Sequence, residues 1–297
     1  MKNNSEKLLL IISIIFIILG VGIFLYPSIS NYLAEKNHVD IIRKYDELIV
    51  KTDDGKLKEE KEKAQVYNEN LSGDPVHDPF VIGSGYALPE NYKEVLNISG
   101  DGVMGYVEIP KILVYLPIYH GTSDEILEKG VGHIQNTSVP IGGTSTHSVL
   151  TGHTGLPNAE LFTRLDELVV GDIFYIHVLG EILTYKVFET KVILPDKIDE
   201  LQILNGKDYV TLVTCTPYGV NSHRLLVKAE RVEYEEYSVT KSNTDGEGTS
   251  IIKESGRKHY YLTGTQIGIV ILIFILIISV IIVFSMRRKK RLYKIKK

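Results

Sequence analysis

The sequence predicts a mainly β domain, either a barrel or a sandwich, held between two transmembrane helices. Seven or eight short runs rich in Val, Ile, Tyr and Thr, broken by Gly and Pro, occupy residues 103–234. Closely spaced strands of this kind are typical of all-β domains. Two long apolar runs lie outside this region, one near each end of the 297-residue chain. The residues between the two runs are numerous enough for one well-buried globular domain.

The two apolar runs each have the length of a membrane span. Residues 8–26 and 267–284 carry no charge, and a helix of about 20 such residues crosses a bilayer. Two spans argue against an ordinary soluble protein and also against a polytopic channel or transporter. A cleaved signal peptide is the alternative for the first run. The run is long for a signal core and no clear small-x-small site follows it, so we expect a retained anchor.

The charge distribution predicts the orientation of the chain. The last 11 residues contain eight Lys and Arg and no acid, whereas residues 8–286 contain 23 basic and 36 acidic residues. Basic flanks of membrane spans stay in the cytoplasm, so we expect both termini inside and the β domain outside the cell. A basic tail directly after a span is typical of a membrane anchor, and an acidic domain is a poor partner for nucleic acid.

The composition divides the chain into eight segments. These are a cytoplasmic tail (1–7), a transmembrane helix (8–26), an extracellular helical segment (27–70), a loop and connection (71–99), the β domain (100–237), a linker (238–266), a transmembrane helix (267–284) and a basic cytoplasmic tail (285–297). Apolar residues at helical spacing within 41–48 predict one or two helices outside the core of the β domain. Short helices are also expected at 123–128 and 158–168.

Cys215 is the only cysteine of the chain. An exported domain of this size without a disulfide is more typical of a bacterial surface protein than of an animal secreted protein. Cys215 ends a predicted strand and is followed at once by Thr-Pro-Tyr-Gly, which predicts a turn. The next strand begins at Arg224, so an antiparallel hairpin would bring Arg224 beside Cys215. A guanidinium group near sulfur favours the thiolate and can also stabilise an oxyanion.

A thiolate nucleophile usually works with an imidazole, and His153 is the candidate. It lies at the end of another predicted strand, just before a Gly-rich turn. His223 is the rival, but it directly precedes Arg224, and neighbouring residues of a strand point to opposite faces. Three further histidines lie near turns without such a context, namely His120, His133 and His147.

The pattern of these residues alone leaves a structural interpretation open. A lone cysteine is often a small buried hydrophobe, and a histidine at a strand end is often a structural residue. The alternative from another class is therefore a non-catalytic adhesin or scaffold tethered by two spans.

The residues around Cys215 resemble the sortases of Gram-positive bacteria. TLVTC ending at Cys215, Arg224 nine residues later and an upstream TGH ending at His153 occur in the order and spacing of that family. The resemblance runs from about residue 71 to 235 and implies a membrane-anchored cysteine transpeptidase with an eight-stranded β-barrel. It also implies roles for the three residues: Cys215 as nucleophile, His153 as general acid and base, and Arg224 as the residue that stabilises the oxyanion or the substrate.

Further features resemble the class C, pilin-polymerising branch of the sortases. TGHTGLPNAELFTRLDEL and KDYVTLVTCTPYGVNSHRLLVKAERV look like this branch, and a second span is usual in it. Asp78, Pro79 and Phe80 match its Asp-Pro-aromatic motif, which implies a lid loop upstream of the barrel. The nearby pair at 74–75 lacks the aromatic residue. One departure is Thr154, because class C members often have Arg at this position.

The resemblance implies that the enzyme cleaves an LPxTG-like sorting motif between Thr and Gly through a thioacyl-enzyme. The acyl group would then be joined to a lysine amine of a pilin subunit. The expected partners are pilin subunits with a C-terminal sorting motif, and no metal, cofactor or nucleic acid is expected. Confinement of enzyme and pilin to one membrane raises their effective concentration. The alternative within the family is a cell-wall-anchoring sortase whose acceptor is the amine of a peptidoglycan cross-bridge.

Overall fold

The computed structural model describes residues 2–71 and 91–233. The predicted lid residues Asp78, Pro79 and Phe80 lie outside the described residues. So do the predicted linker, the second span at 267–284 and the basic tail. These features therefore stay predictions.

The described part of the chain contains a closed barrel of eight strands. The strands are β1 (Val103–Ile109), β2 (Val114–His120), β3 (Val131–His133), β4 (Thr146–Thr151), β5 (Ile173–Val178), β6 (Glu181–Ile193), β7 (Asp208–Thr216) and β8 (His223–Val232). Around the barrel they follow the order β1-β2-β3-β4-β7-β8-β6-β5. The pairs β2–β3 and β4–β7 are parallel, and the other described pairs are antiparallel. The predicted β-barrel is confirmed.

The strand that the sequence pattern does not predict is β3. It has three residues, all of them buried, which is too short for an alternating pattern to be visible. Its pairing with β2 and β4 closes the barrel between them. Only the tertiary arrangement of its neighbours therefore defines it as a strand.

Of the two short helices predicted from the sequence, one is confirmed and the other prediction is wrong. Helix α3 (Asp124–Lys129) corresponds to the one expected at 123–128. The segment 158–168 instead consists of turns and a single 3₁₀ helix, Leu165–Glu167. The amide of Phe162 donates to the carbonyl of His153 (3.0 Å) and not to the carbonyl four residues before it. Burial of the apolar residues of this segment against the barrel therefore outweighs their helical spacing.

Within residues 2–71 and 91–102, two α-helices precede the barrel. Helix α1 (Lys2–Lys51) continues through the boundary predicted at residue 26, with Pro27 inside it, and α2 is Asp54–Glu69. By length and composition, α1 is suited to cross a membrane. Its part up to Tyr32 belongs to a different compact unit from the domain that starts at Leu33.

The expectation that these helices lie outside the core is wrong. In α1, Ile42, Tyr45 and Ile49 are buried in the same apolar cluster as the barrel interior. The Tyr45 hydroxyl donates to the carbonyl of Met104 (3.2 Å) and accepts from the amide of Leu179 (3.0 Å). An amphipathic helix gains stability by burying its apolar face, so the last turns of α1 close one side of the domain.

Helix α2 is fixed to the barrel in the same way. Ala64 and Tyr67 are buried in the main core cluster. Asn68 makes a pair of hydrogen bonds with one residue, because its side-chain oxygen accepts from the amide of Val139 (2.8 Å) and its side-chain nitrogen donates to the carbonyl of Val139 (3.2 Å). This pair attaches the end of α2 to the connection between β3 and β4.

Candidate active site

Cys215 and Arg224 lie next to each other at the end of the β7–β8 hairpin. They are direct partners in the antiparallel ladder, and side chains of directly opposed residues lie on the same face. Both residues are buried, with 8% of Cys215 and 6% of Arg224 exposed. Cys215 and Arg224 are therefore neighbours in the structure, as the predicted hairpin implied.

His153 reaches the same position through a parallel pairing. In the β4–β7 ladder Thr151 is aligned with Val213, and the amide of Gly152 continues the ladder by donating to the carbonyl of Val213 (3.1 Å). Continuing this register two residues beyond the last pair of the ladder places His153, which follows the end of β4, opposite Cys215. We call His153, Cys215 and Arg224 the catalytic row.

Two threonine hydroxyls brace the backbone beside the catalytic row. Thr151 donates to the carbonyl of Val213 (3.2 Å), and Thr214 donates to the carbonyl of Gly152 (2.7 Å). Both threonines are buried. These two hydrogen bonds connect the backbones at the ends of β4 and β7, next to the catalytic row. Both hydroxyl groups therefore act as donors to backbone carbonyls.

The imidazole of His153 is half-buried and has acidic neighbours. Burial lowers the pKa of His153 below its usual value of 6.5, whereas the negative charges of Asp124 and Glu128 act to raise the pKa. The net direction is downward, so the imidazole is mostly uncharged at neutral pH. Sequence reasoning missed these two carboxylates. They lie on α3, and only the tertiary fold shows that α3 approaches His153.

The guanidinium group of Arg224 is held by the turn between β7 and β8. Its Nη1 donates to the carbonyls of Asn221 (3.1 Å) and His223 (3.0 Å). The turn itself is closed by the amides of Val220 and Asn221, which both donate to the carbonyl of Pro217 (3.0 and 2.9 Å). The turn therefore positions the cation that neighbours the sulfur.

The rival histidine does not lie in the catalytic row. His223 is the ladder partner of Thr216, so its side chain lies on the opposite face of the hairpin from Cys215. Its Nδ1 is 2.9 Å from the hydroxyl of Ser222. The sequence argument from strand alternation agrees with this arrangement.

The other histidines near predicted turns have structural partners. His133 is fully buried, with Nδ1 2.9 Å from the Tyr92 hydroxyl and Nε2 2.9 Å from the carbonyl of Ser138, and burial lowers the pKa of His133 to about 3. The two ring nitrogens of His120 lie within 3.0 Å of backbone carbonyls. These side chains connect loops to the barrel.

Within residues 2–71 and 91–233, no group of three or more His, Cys, Asp or Glu side chains is arranged to hold a metal ion. What the catalytic row offers is a sulfur nucleophile, an uncharged imidazole and a fixed cation. This set is suited to acyl transfer, in which the sulfur attacks a carbonyl carbon, the imidazole moves the proton and the cation stabilises the oxyanion.

The sequence of the barrel matches a known family model. The model described as the sortase domain matches residues 107–232. Sortase D of Bacillus subtilis is 33% identical over 131 residues, which are 43% of this chain and 63% of that protein. The chain therefore spans slightly less than two thirds of this relative's length.

Solved structures agree with this match and cover a larger share of the chain. The crystal structure of sortase C-1 from Actinomyces oris is 48% identical, with a TM-score of 0.57, and the match covers 60% of this chain and 99% of that chain. Sortase C of Streptococcus pneumoniae is 42% identical, with a TM-score of 0.61, and the match covers 66% of this chain and 97% of that chain.

Proposed function

Because this chain belongs to the sortase family, we propose that it is a class C sortase, a cysteine transpeptidase that polymerises pilin subunits. Its substrate would be an LPxTG-like sorting motif at the C-terminus of a pilin. Its acceptor would be the side-chain amine of a lysine on a second pilin. The observation that carries this proposal is the pairing of Cys215 with Arg224, together with a β4–β7 register that leads toward His153 on the neighbouring chain segment.

In the first half of the proposed reaction, the sulfur of Cys215 attacks the carbonyl carbon of the motif threonine. The sulfur proton passes to His153, which is mostly uncharged at neutral pH and can accept it. Arg224 stabilises the negative oxygen of the tetrahedral intermediate, a role worth about 10²–10³ in rate for one donor. The carbon–nitrogen bond then breaks and His153 gives its proton to the departing glycine amine. The product is a thioacyl-enzyme.

In the second half, the lysine amine attacks the thioester carbonyl. His153 accepts a proton from this amine, and Arg224 again stabilises the oxyanion. The carbon–sulfur bond breaks, the proton returns to the sulfur of Cys215, and an isopeptide bond remains. One amide bond is broken and one is formed, so the exchange needs no cofactor and no nucleoside triphosphate.

Four features support the class C assignment over a cell-wall-anchoring sortase. The structural neighbours at 42–48% identity are class C sortases, and the study of the Streptococcus pneumoniae enzyme concerns pilin substrate specificity. The sequence also predicts a second span at 267–284 and the lid motif. We propose that both termini lie in the cytoplasm and that the barrel works at the outer surface of the membrane, where the pilin precursors are tethered as well.

The test uses the full chain in detergent with an LPxTG peptide and two acceptors, a lysine-containing pilin peptide and a glycine cross-bridge peptide. We expect the wild-type protein to gain the mass of the acyl fragment and to release the glycine-containing fragment. Cys215→Ala should abolish both. Thr216→Ala is the matched control, because it changes the next residue on the opposite face.

The acceptor distinguishes the two sortase classes. An isopeptide product with the lysine peptide supports the proposal, whereas products with the cross-bridge peptide alone would indicate a cell-wall-anchoring enzyme. Turnover by a well-folded Cys215→Ala variant would contradict the cysteine mechanism.

A further inference from the structure

His153 lies in a closed loop, residues 152–163, which we call the His153 loop. The amide of Phe162 donates to the carbonyl of His153 (3.0 Å), and the amide of Gly155 donates to the hydroxyl oxygen of Thr163 (3.1 Å). These two hydrogen bonds join the beginning of the loop to its end. Because His153 follows the last residue of β4, contacts of the loop determine where its backbone lies.

The backbone just before His153 is tightly fixed. The amide of Gly152 donates to the carbonyl of Val213 (3.1 Å), and the carbonyl of Gly152 accepts from the hydroxyl of Thr214 (2.7 Å). The ring of Phe162 is fully buried and lies so close to Gly152 that a Cβ atom there would be 3.0 Å from the ring. Gly152 therefore has little room to move in either direction.

The backbone after His153 is held at Gly155, which has a left-handed conformation (φ +77°) that glycine adopts without strain. On one side, its amide donates to the hydroxyl of Thr163. On the other side it faces the ring of Tyr218, and a Cβ atom at Gly155 would be 2.9 Å from Cε2 of that ring. Since Tyr218 belongs to the turn that follows Cys215, the His153 loop packs against the hairpin that carries the sulfur.

Thr163 is itself on a well-anchored part of the loop. Its amide donates to the carbonyl of Glu160 (2.8 Å), and the carbonyl of the preceding Phe162 accepts from the amide of Leu165 (3.0 Å). Phe162 and Leu165 are both fully buried. A hydroxyl group on such a rigid support keeps a fixed position, so the Thr163 side chain determines where Gly155 is placed.

The orientation of His153 matters in both halves of the proposed reaction, because its imidazole accepts a proton and later donates one. Proton transfer requires an approach within hydrogen-bond distance, and small displacements of a reacting group lower the rate strongly. The imidazole is half-buried, and burial lowers its pKa. A loop that opened at Gly155 would therefore change the direction of the imidazole and also expose it to solvent.

We propose that Thr163 is a positioning residue for His153, and that its hydroxyl holds the His153 loop closed against the turn of the β7–β8 hairpin. This inference rests on the proposed sortase function. Thr163 acts through the backbone of Gly155 and takes part in no bond change of the reaction. Removing its hydroxyl should slow proton transfer and leave capture of the sorting peptide nearly unchanged.

The experiment compares Thr163→Val with wild type, using the full chain in detergent and a fluorogenic LPxTG peptide. Valine keeps the shape of the threonine side chain and removes the hydroxyl that accepts from Gly155. We expect kcat to fall by about three- to tenfold, the equivalent of one neutral hydrogen bond, with KM within about twofold of wild type. Thr163→Ser keeps the hydroxyl and should restore most of kcat.

A second measurement is the titration of the labelled His153 imidazole by NMR. In Thr163→Val the imidazole should be more exposed, so the pKa of His153 should rise from its lowered value toward 6.5, because desolvation of the charged form is weaker. The acid limb of the pH profile of kcat/KM should move in the same direction. Asp124 and Glu128, whose charges also act on His153, are unchanged in this variant.

The matched control is Thr146→Val, at the first residue of β4, at the other end of the strand from the His153 loop. The Thr146 hydroxyl donates to the carbonyl of Gly143 (2.6 Å), so this variant also loses one hydrogen bond between a threonine hydroxyl and the backbone. A general loss of stability would lower the melting temperature of both variants, but Thr146→Val should keep the wild-type kcat and the wild-type pKa of His153.

Three outcomes would each overturn the positioning role. These are a wild-type kcat in Thr163→Val, an equal loss of kcat in Thr146→Val, and a Thr163→Ser variant as slow as Thr163→Val.

Failure of the proposed function would be seen separately, as a wild-type chain that turns over no sorting peptide. The titration of His153 then decides the positioning role by itself, because it needs no substrate. A higher pKa of His153 in Thr163→Val than in Thr146→Val would support the role, and equal titration curves in the two variants would overturn it.

Discussion

Cys215 and Arg224 are direct cross-strand partners beside the turn of the β7–β8 hairpin. The turn between them is short and closed by its own backbone hydrogen bonds, so the sulfur and the guanidinium group belong to one local unit. His153 joins them from β4, through a parallel pairing of residues far apart in sequence. The pairing of Cys215 with Arg224 is therefore set by a local hairpin, whereas the position of His153 depends on the closure of the barrel.

The first prediction concerns the cation. Arg224→Ala should lower kcat/KM for a sorting peptide by about 10²–10³, because it removes an oxyanion donor. Arg224→Lys should recover only part of this loss, since an ammonium group lacks the planar fork of a guanidinium group. Peptide kinetics on the full chain, with the melting temperature as a check of folding, provide the measurement.

The control for the cation is His223→Ala, which changes the adjacent residue on the opposite face and should leave the rate near wild type. A dead His223→Ala variant together with an active Arg224→Ala variant would mean that the other face of the hairpin carries the chemistry.

The second prediction concerns the electrostatic environment of His153. The negative charges of Asp124 and Glu128 act to raise the pKa of His153 against the effect of burial. Asp124→Asn and Glu128→Gln should each lower the pKa of His153 further, because burial is then opposed by one charge fewer. An NMR titration of the labelled imidazole measures this pKa directly.

Glu125→Gln is the matched control for the imidazole titration. Glu125 lies on the same helix, but its side chain is 85% exposed and pairs with Lys129. We expect this variant to titrate like wild type. An unchanged His153 pKa in both Asp124→Asn and Glu128→Gln would show that the α3 carboxylates do not act on the imidazole.

The third prediction concerns stability in acid. Burial lowers the pKa of His147 to about 4, below its usual value of 6.5, so the unfolded chain binds this proton more readily than the folded chain. Stability from this residue is complete above pH 6.5 and decreases as the pH falls toward 4. At pH 5 the loss from His147 should be about 2 kcal/mol, measured as the difference in pH dependence between wild type and His147→Gln in urea unfolding at pH 7 and pH 5.

His147→Gln should unfold more easily at pH 7, because the contacts with Gln202 and Thr211 are disturbed, but its stability should decrease less between pH 7 and pH 5 than that of wild type. Equal pH dependence in wild type and His147→Gln would show that His147 is not responsible for the acid sensitivity.

The fourth prediction concerns the lid motif, which lies outside the described residues. If Asp78 pairs with Arg224 and Phe80 covers the sulfur, replacing Asp78 and Phe80 by Ala should speed the labelling of Cys215 by a thiol reagent. Pro79 restricts the backbone between them, so the two side chains are expected to act together. Asp74→Ala is the control, because the pair at 74–75 lacks an aromatic residue. Identical labelling rates in the double variant and wild type would identify the motif as an ordinary turn.

Features determined by local sequence could be predicted without the structure. Alternation and turn residues predict seven strands of the barrel, including β1 and β5, within one or two residues of their ends. The neighbour relationship of Cys215 and Arg224 follows from the antiparallel hairpin that contains both. A hairpin is closed by a few residues, so its register is set by contacts that the sequence already brings together.

Other features depend on residues that only the tertiary structure brings together. The alignment of His153 with Cys215 requires the parallel β4–β7 pairing, and a parallel pair cannot be closed by a tight turn. The segment 158–168 has helical spacing, but burial against the barrel and the bond from Phe162 to His153 prevent a helix there. The acidic residues of α3 near His153 likewise join elements far apart along the chain. Sequence alone thus determined the reactive groups and the local hairpin, whereas closure of the barrel decided which of these groups meet, because long-range register is set by burial and not by neighbouring residues.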